Sequence, residues 1–163
     1  QGELEAAGCR IAMGSDNMAE DMIQVMRTGL FMERVRTGDG ERPMPEDVLQ
    51  WATANGHRAL GLEESGSLEV GKKADLIVIE TQRPHLVPTM RFVSAFVHQG
   101  TPADVQSVMV DGHWLMRDGV VLTMDEASIV AEAERIGRRA WGRLTAEFPD
   151  VPLPIQLDTS EPG

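Results

Sequence analysis

Asp16 is the residue of this 163-residue chain best placed to do chemistry. It follows the apolar run Ile11-Ala12-Met13 and the pair Gly14-Ser15, and a segment of helical periodicity comes after it. That order reads as a short buried strand, a glycine where backbone approaches closely, and a helix start. In open α/β sheets and (β/α) barrels the carboxyl ends of strands line the ligand crevice, so a carboxylate there stands where a metal ligand or general base would. A structural reading weighs about equally on spacing alone: Asp16 or Asn17 caps a helix, and Glu20, three places after Asn17, completes a capping box.

The remaining reactive side chains point elsewhere. His57, His85, His98 and His113 are scattered singly, with no His-x-His and no His-Glu-x-x-His, and surface, capping or core roles are expected of them. A catalytic zinc site needs about three converging protein ligands and an open position, so this chain cannot assemble one alone. Cys9 is the single cysteine, which excludes an internal disulfide and a cysteine-based zinc cluster. No histidine lies near it in sequence, and a small core residue is the expectation rather than a nucleophile. Ser15 lacks a Gly-x-Ser-x-Gly elbow and is expected to brace the turn. Lys72-Lys73 lack a Walker pattern and read as a solvated turn.

Three segments resemble the metal-dependent amidohydrolase superfamily, particularly its deaminase and triazine-hydrolase branch. Ala7 to Asn17, with Gly14-Ser15-Asp16, is similar to that branch's last barrel strand. Gly66-Ser67-Leu68-Glu69-Val70-Gly71-Lys72-Lys73-Ala74-Asp75-Leu76 is similar to the segment by which such chains leave the barrel for a small β-sandwich. Val108-Met109-Val110-Asp111-Gly112 resembles the sandwich hairpin that follows. The three stand in the family order across about the first three quarters of the chain.

The resemblance implies an α/β fold: the C-terminal end of a (β/α)8 barrel, part of a small β-sandwich, and a C-terminal helix. The corresponding divisions are 1–62, 63–123 and 124–163. It implies hydrolysis of a carbon–nitrogen bond in a nitrogen heterocycle or related amine, with Zn2+ or another divalent metal such as Fe2+ in the full-length parent. Asp16 would be both metal ligand and proton shuttle, taking a proton from water and returning one to the departing amine. Asn17 would face the substrate or cap the helix. The implied partners are the missing N-terminal part of the same chain, which would carry the other ligands, and a small-molecule substrate. The piece alone is then expected to be inactive. The competing expectation is a non-catalytic binding domain in which Asp16 is only a helix cap.

Elements on either side must hold Asp16 in place. Gln1 to Gly8 reads as a helix end. Met18 to Arg36 reads as an amphipathic helix with Met18, Met22, Val25, Met26, Leu30 and Val35 on its packed face. Pro45 is expected to open a helix through Asn55 that Gly56 ends, with a short turn at Ala59-Leu60 stopped by Gly61. Leu76 to Ile79 reads as a buried strand, Gln82 to Thr89 as an irregular crossing, and Phe92 to His98 as a short strand or turn-rich connector. Gln106–Val110 and His113–Arg117 around Asp111-Gly112 give the clearest hairpin signal. Thr123 and Glu126 have capping-box spacing before a helix reaching Phe148, and the proline-rich tail is expected to be extended or disordered.

Composition narrows the partners. Fifteen basic against twenty-six acidic residues give a net charge of −11, which argues against nucleic acid and anionic membranes. No apolar run approaches the ~20 residues of a membrane span. A chain that opens on Gln1 with its first methionine at Met13 reads as a piece of a longer protein, and a lone cysteine suits a reducing cytoplasm. A lone barrel strand leaves backbone groups and apolar helix faces open, so the isolated piece is expected to associate, as a homo-oligomer, or to be partly molten.

Overall fold

The computed structural model describes residues 2–16 and 20–150, a mixed α/β chain in two compact units, 1–122 and 123–163. Helix α1 (Gly2–Ala6) is released through Gly8 at φ 81°. Helix α2 (Met22–Thr37) begins where the Asp21 carboxylate accepts from the backbone N–H groups of Ile23 and Gln24, at 2.9 and 3.2 Å. The helix expected from Met18 is described from Met22 onward, and the expected Asn17–Glu20 box rests on Asn17, which lies outside the described residues. Asp21 sits directly before the first turn and satisfies its orphan donors itself. The buried stripe is Ile23, Met26 and Leu30, while the expected face member Val35 is 79% exposed.

Pro45 opens α3 (Pro45–Ala52), and the Asp47 carboxylate accepts from the Met44 N–H at 2.8 Å. The expected single helix to Asn55 breaks at Thr53 (φ −120°, ψ −98°), and α4 (Ala54–Ala59) carries Gly56 inside it. The cause is local. The Thr53 hydroxyl donates to the Leu49 carbonyl at 2.7 Å, taking the acceptor that the next helical N–H would have used.

Strands β1 (Leu76–Ile79), β2 (Val105–Val110), β3 (His113–Arg117) and β4 (Val120–Val121) form one antiparallel sheet in chain order. The β2–β3 turn places Asp111 at φ 49° and Gly112 at φ 77°, the positive angles that an Asp-Gly hairpin needs. Strand β1 forms as expected but is not buried: Ile77 and Val78 are 49% and 38% exposed. Phe92 to Gln99 is helix α5, not a strand or connector. Phe92, Val93, Phe96 and Val97 repeat at helical spacing, and packing of that face outweighs the β preference of Phe and Val.

The core is the contact of α2, α3 and α5, filled by Met26, Leu30, Val48, Trp51, Phe96 and Val97, with Ile79 and Val105 of the sheet packed against it. Arg27 locks α2 to the end of α5: its Nε donates to the Val97 carbonyl at 3.1 Å and its Nη2 to the Gly100 carbonyl. These are carbonyls that a helix end leaves without a partner, and the planar guanidinium serves two at once. Gly100 is required there, since a Cβ would meet the Phe96 carbonyl oxygen at 2.5 Å.

A second polar clamp ties the crossing after β1 to the start of β2. Asp104, 2% exposed, accepts from His85 Nε2 at 2.8 Å, from the Thr101 N–H at 2.8 Å and from the Thr101 hydroxyl at 3.1 Å. Burial pushes its carboxyl up, but the His85 and Thr101 hydrogen bonds together outweigh this and hold it below the usual 3.8. A depressed folded pKa stabilises above the unfolded value and is lost as pH falls through the folded one. Stability is therefore expected to fall as the medium is acidified below about 3.8, and Asp104→Asn should flatten that part of the acid-unfolding curve while lowering stability at neutral pH. Superimposable acid-unfolding curves would contradict the assignment.

In the second unit, α6 (Glu126–Glu147) is capped by Asp125, whose Oδ1 accepts from Ser128 N–H at 3.1 Å; the expected Thr123–Glu126 box does not form. Two arginines of its basic half pair within the helix, Arg135 with Glu132 and Arg138 with Glu134. No helix among the described residues is long and apolar enough to cross a membrane. The expectation for the tail from Val151 onward lies outside the described residues.

Candidate active site

The segment Arg10 to Ser15 that leads to Asp16 belongs to no helix or strand, and Ile11 and Met13 are only half-buried. This corrects the expected buried strand. A strand needs a neighbour to take its backbone groups, and among the described residues helices do so instead. Asn55 Nδ2 of α4 donates to the Ile11 carbonyl at 2.8 Å, and the Met13 N–H donates to the Trp51 carbonyl at the end of α3, at 3.2 Å. Gly29 of α2 lets that helix pass against the Met13 side chain, where a Cβ would collide with its terminal methyl.

The segment ends in a turn. Asp16 is exposed at φ 55°, a left-handed conformation that Asp tolerates better than most residues. The Ser15 hydroxyl donates to the Asp16 carbonyl at 3.3 Å, bracing the turn as expected. Among the described residues the Asp16 carboxylate has no hydrogen bond and no ion pair, and it caps no helix, because Asp21 caps α2. An open cleft of about 430 Å³ runs between the residues just before it and α2, lined by Ala12, Met13, Gly14, Ser15, Gln24 and Thr28 but not by Asp16 itself.

None of the histidines joins Asp16. His57 and His98 each donate Nδ1–H to a carbonyl one helical turn earlier, Thr53 at 3.0 Å and Ser94 at 2.8 Å. His98 also packs its ring 5.8 Å from that of Phe31, His85 holds Asp104, and His113 Nδ1 meets the Asp111 carbonyl at 2.9 Å. No group of three or more His, Cys, Asp or Glu able to hold a metal occurs among the described residues. The donor set therefore fits one ligand position, an uncommitted carboxylate, and not a whole metal site.

Two expectations are overturned nearby. Cys9 is exposed rather than a core residue, because the chain passes it between the Gly8 turn and the segment without covering it. Lys72 is not a solvated turn residue: it is half-buried, and its Nζ donates to Ser67 Oγ at 2.6 Å and Glu69 Oε1 at 3.0 Å. In sequence Asn55 reads only as a helix end; its role as the strap on Ile11 has one sequence signal, a poor helix former placed inside a helical stretch.

A 5-methylthioadenosine/S-adenosylhomocysteine deaminase of Desulforudis audaxviator is 42% identical over 139 residues, 82% of this chain and 32% of that protein. A 5'-deoxyadenosine deaminase of Methanosarcina acetivorans is 36% identical over 143 residues, 85% of this chain and 33% of that protein. The crystal structure of an adenosine deaminase from Xanthomonas campestris with bound zinc superposes with a TM-score of 0.76 at 27% identity, covering 83% of this chain and 32% of the other. The chain thus spans about a third of the length of the relatives it matches. With residues 2–115 matching the Amidohydrolase family, a stretch that includes the segment, the turn, α2 to α5 and strands β1 and β2, this chain belongs to that family.

Proposed function

We propose that this chain is the C-terminal part of a metal-dependent deaminase that removes the amino group of an adenosine-type nucleoside by hydrolysis. The observation that carries the reading is the Asp16 carboxylate, set in a left-handed turn directly after the residues that line an open cleft and committed to no cap, hydrogen bond or ion pair among the described residues. The names of the relatives supply the substrate class. In this reading Arg10 to Asp16 is the last strand position of a (β/α) barrel, completed by strands from the rest of the protein, and β1 to β4 are part of a small sandwich.

Asp16 would donate one oxygen to a divalent metal, for which zinc in a related structure is the support. Bound there, the metal supplies Lewis acidity that brings the pKa of water toward about 7. Asp16 itself takes the proton that water loses and passes it to the leaving nitrogen, since an amine departs far more readily than an amide anion. Asn55 and the Trp51 carbonyl hold the segment so that the carboxylate keeps its place through both transfers. Asn17 stands next in sequence as a substrate contact. The other ligands would come from the rest of the protein, so residues 1–163 alone would not turn over substrate.

The intact protein should release ammonia from adenosine, 5'-deoxyadenosine or 5'-methylthioadenosine, lose that activity on chelation, and regain it with zinc. Absence of ammonia release from all three by metal-loaded protein would overturn the assignment.

A further inference from the structure

The cleft between α4 and the Gly66–Lys72 turn gathers positive charge in a chain whose net charge is −11. It measures about 380 Å³ and is lined by Arg10, Arg58, Lys72, Glu63, Ser65 and Ser67, three cations against one carboxylate. The three cations differ in their commitments. Lys72 is a fixed strut on Ser67 and Glu69. The Glu69 carboxyl is held below its usual range by the Ser67 hydroxyl first, then by Lys72, with the Arg58 charge adding to both.

Arg10 and Arg58 have no hydrogen bond or ion pair among the described residues. Elsewhere in the same unit Arg27 and Arg34 are spent on backbone carbonyls, Arg36, Arg42 and Arg91 on carboxylates, and Arg117 on Asp118 and the Trp114 ring, while Arg83, outside the cleft, also has no side-chain hydrogen bond or ion pair among the described residues. Two guanidinium forks with open donors on one cleft, in an acidic chain, favour an anion from outside. A carboxylate has two oxygens and saturates one fork. A phosphate group has enough acceptor oxygens to serve both forks together and still accept from a serine hydroxyl.

We propose that this cleft binds a small phosphate-bearing anion, free phosphate or a phosphate monoester, held between the Arg10 and Arg58 guanidiniums. The site is separate from the Asp16 turn but mechanically joined to it. Arg10 directly precedes Ile11, whose carbonyl is strapped by Asn55, so a ligand holding Arg10 also restrains the segment that ends at Asp16. Binding to the folded state alone stabilises it by mass action.

The test is calorimetric titration of the intact protein at low ionic strength with inorganic phosphate and, separately, with glycerol 3-phosphate. A single site is expected. Arg10→Gln and Arg58→Gln should each weaken it by about tenfold or more, the worth of a charge-assisted hydrogen bond. Arg10→Lys and Arg58→Lys, which keep the charge but lose the fork, should weaken it as well. Arg83→Gln, removing an exposed arginine outside the cleft, should leave affinity unchanged. Tighter binding of glycerol 3-phosphate would identify a monoester as the ligand, and equal or weaker binding would identify free phosphate. Because loss of the fold would mimic loss of the site, thermal unfolding is followed alongside: phosphate should raise the melting temperature of the wild type and not of a folded Arg10→Gln/Arg58→Gln protein. No binding of either anion up to about 10 mM, or an equal loss in Arg83→Gln, would overturn the proposal.

Discussion

Asp16→Asn in the intact protein is expected to lower kcat for deamination by about 10²- to 10⁴-fold, the usual worth of a positioned proton-transfer group. Asparagine is the informative substitution. It tolerates the φ of 55° as aspartate does and matches it in size, so the turn after Ser15 should survive. It cannot take a proton from water. An accompanying loss of zinc occupancy, measured by metal analysis, would mean that the carboxylate also serves as a ligand; full occupancy with the same rate loss would restrict it to the proton. Turnover within a few-fold of wild type would end the catalytic assignment, because a residue that caps nothing and bonds to nothing in the described structure would then have no chemical role either.

The largest stability effect is expected at Trp51. Its side chain is 3% exposed in the contact of α2, α3 and α5, and its carbonyl accepts the Met13 N–H. Trp51→Ala would leave a large cavity among Leu30, Val48 and Phe96 and should cost about 3–5 kcal/mol, a substantial part of the 5–15 kcal/mol typical of a domain. The change also loosens the end of α3, where the segment leading to Asp16 is fastened, so activity per folded molecule should fall with stability. Trp51→Phe, which keeps most of the apolar volume, should cost clearly less. Denaturant unfolding of the intact protein measures both, and a loss below about 1 kcal/mol for the alanine variant would show that the core closes over the gap.

Local chemistry wrote much of this protein. The Asp111-Gly112 hairpin, Pro45 at the head of α3, the glycine ends after α1 and α2, and the existence of α2 and α6 follow from backbone preferences and periodicity, which act over a few residues. The order of the three family-like segments also lies in the chain itself, and the family match along residues 2–115 agrees with it.

What the tertiary structure decided are matters of competition between near-equal local choices. Asp16 and Asp21 both have cap chemistry, and the position of α2 on the core gives the cap to Asp21 and leaves the Asp16 carboxylate uncommitted among the described residues. Phe92 to Gln99 holds residues fit for a strand, yet becomes a helix because Phe96 and Val97 are buried against α2 and α3. Ile11 to Met13 has the composition of a strand, but a strand exists only where another backbone takes its hydrogen bonds, and here Asn55 and Trp51 take them. The sequence by itself therefore determined which residues could act and which short elements they would adjoin; long-range packing determined which of them were left free to do so.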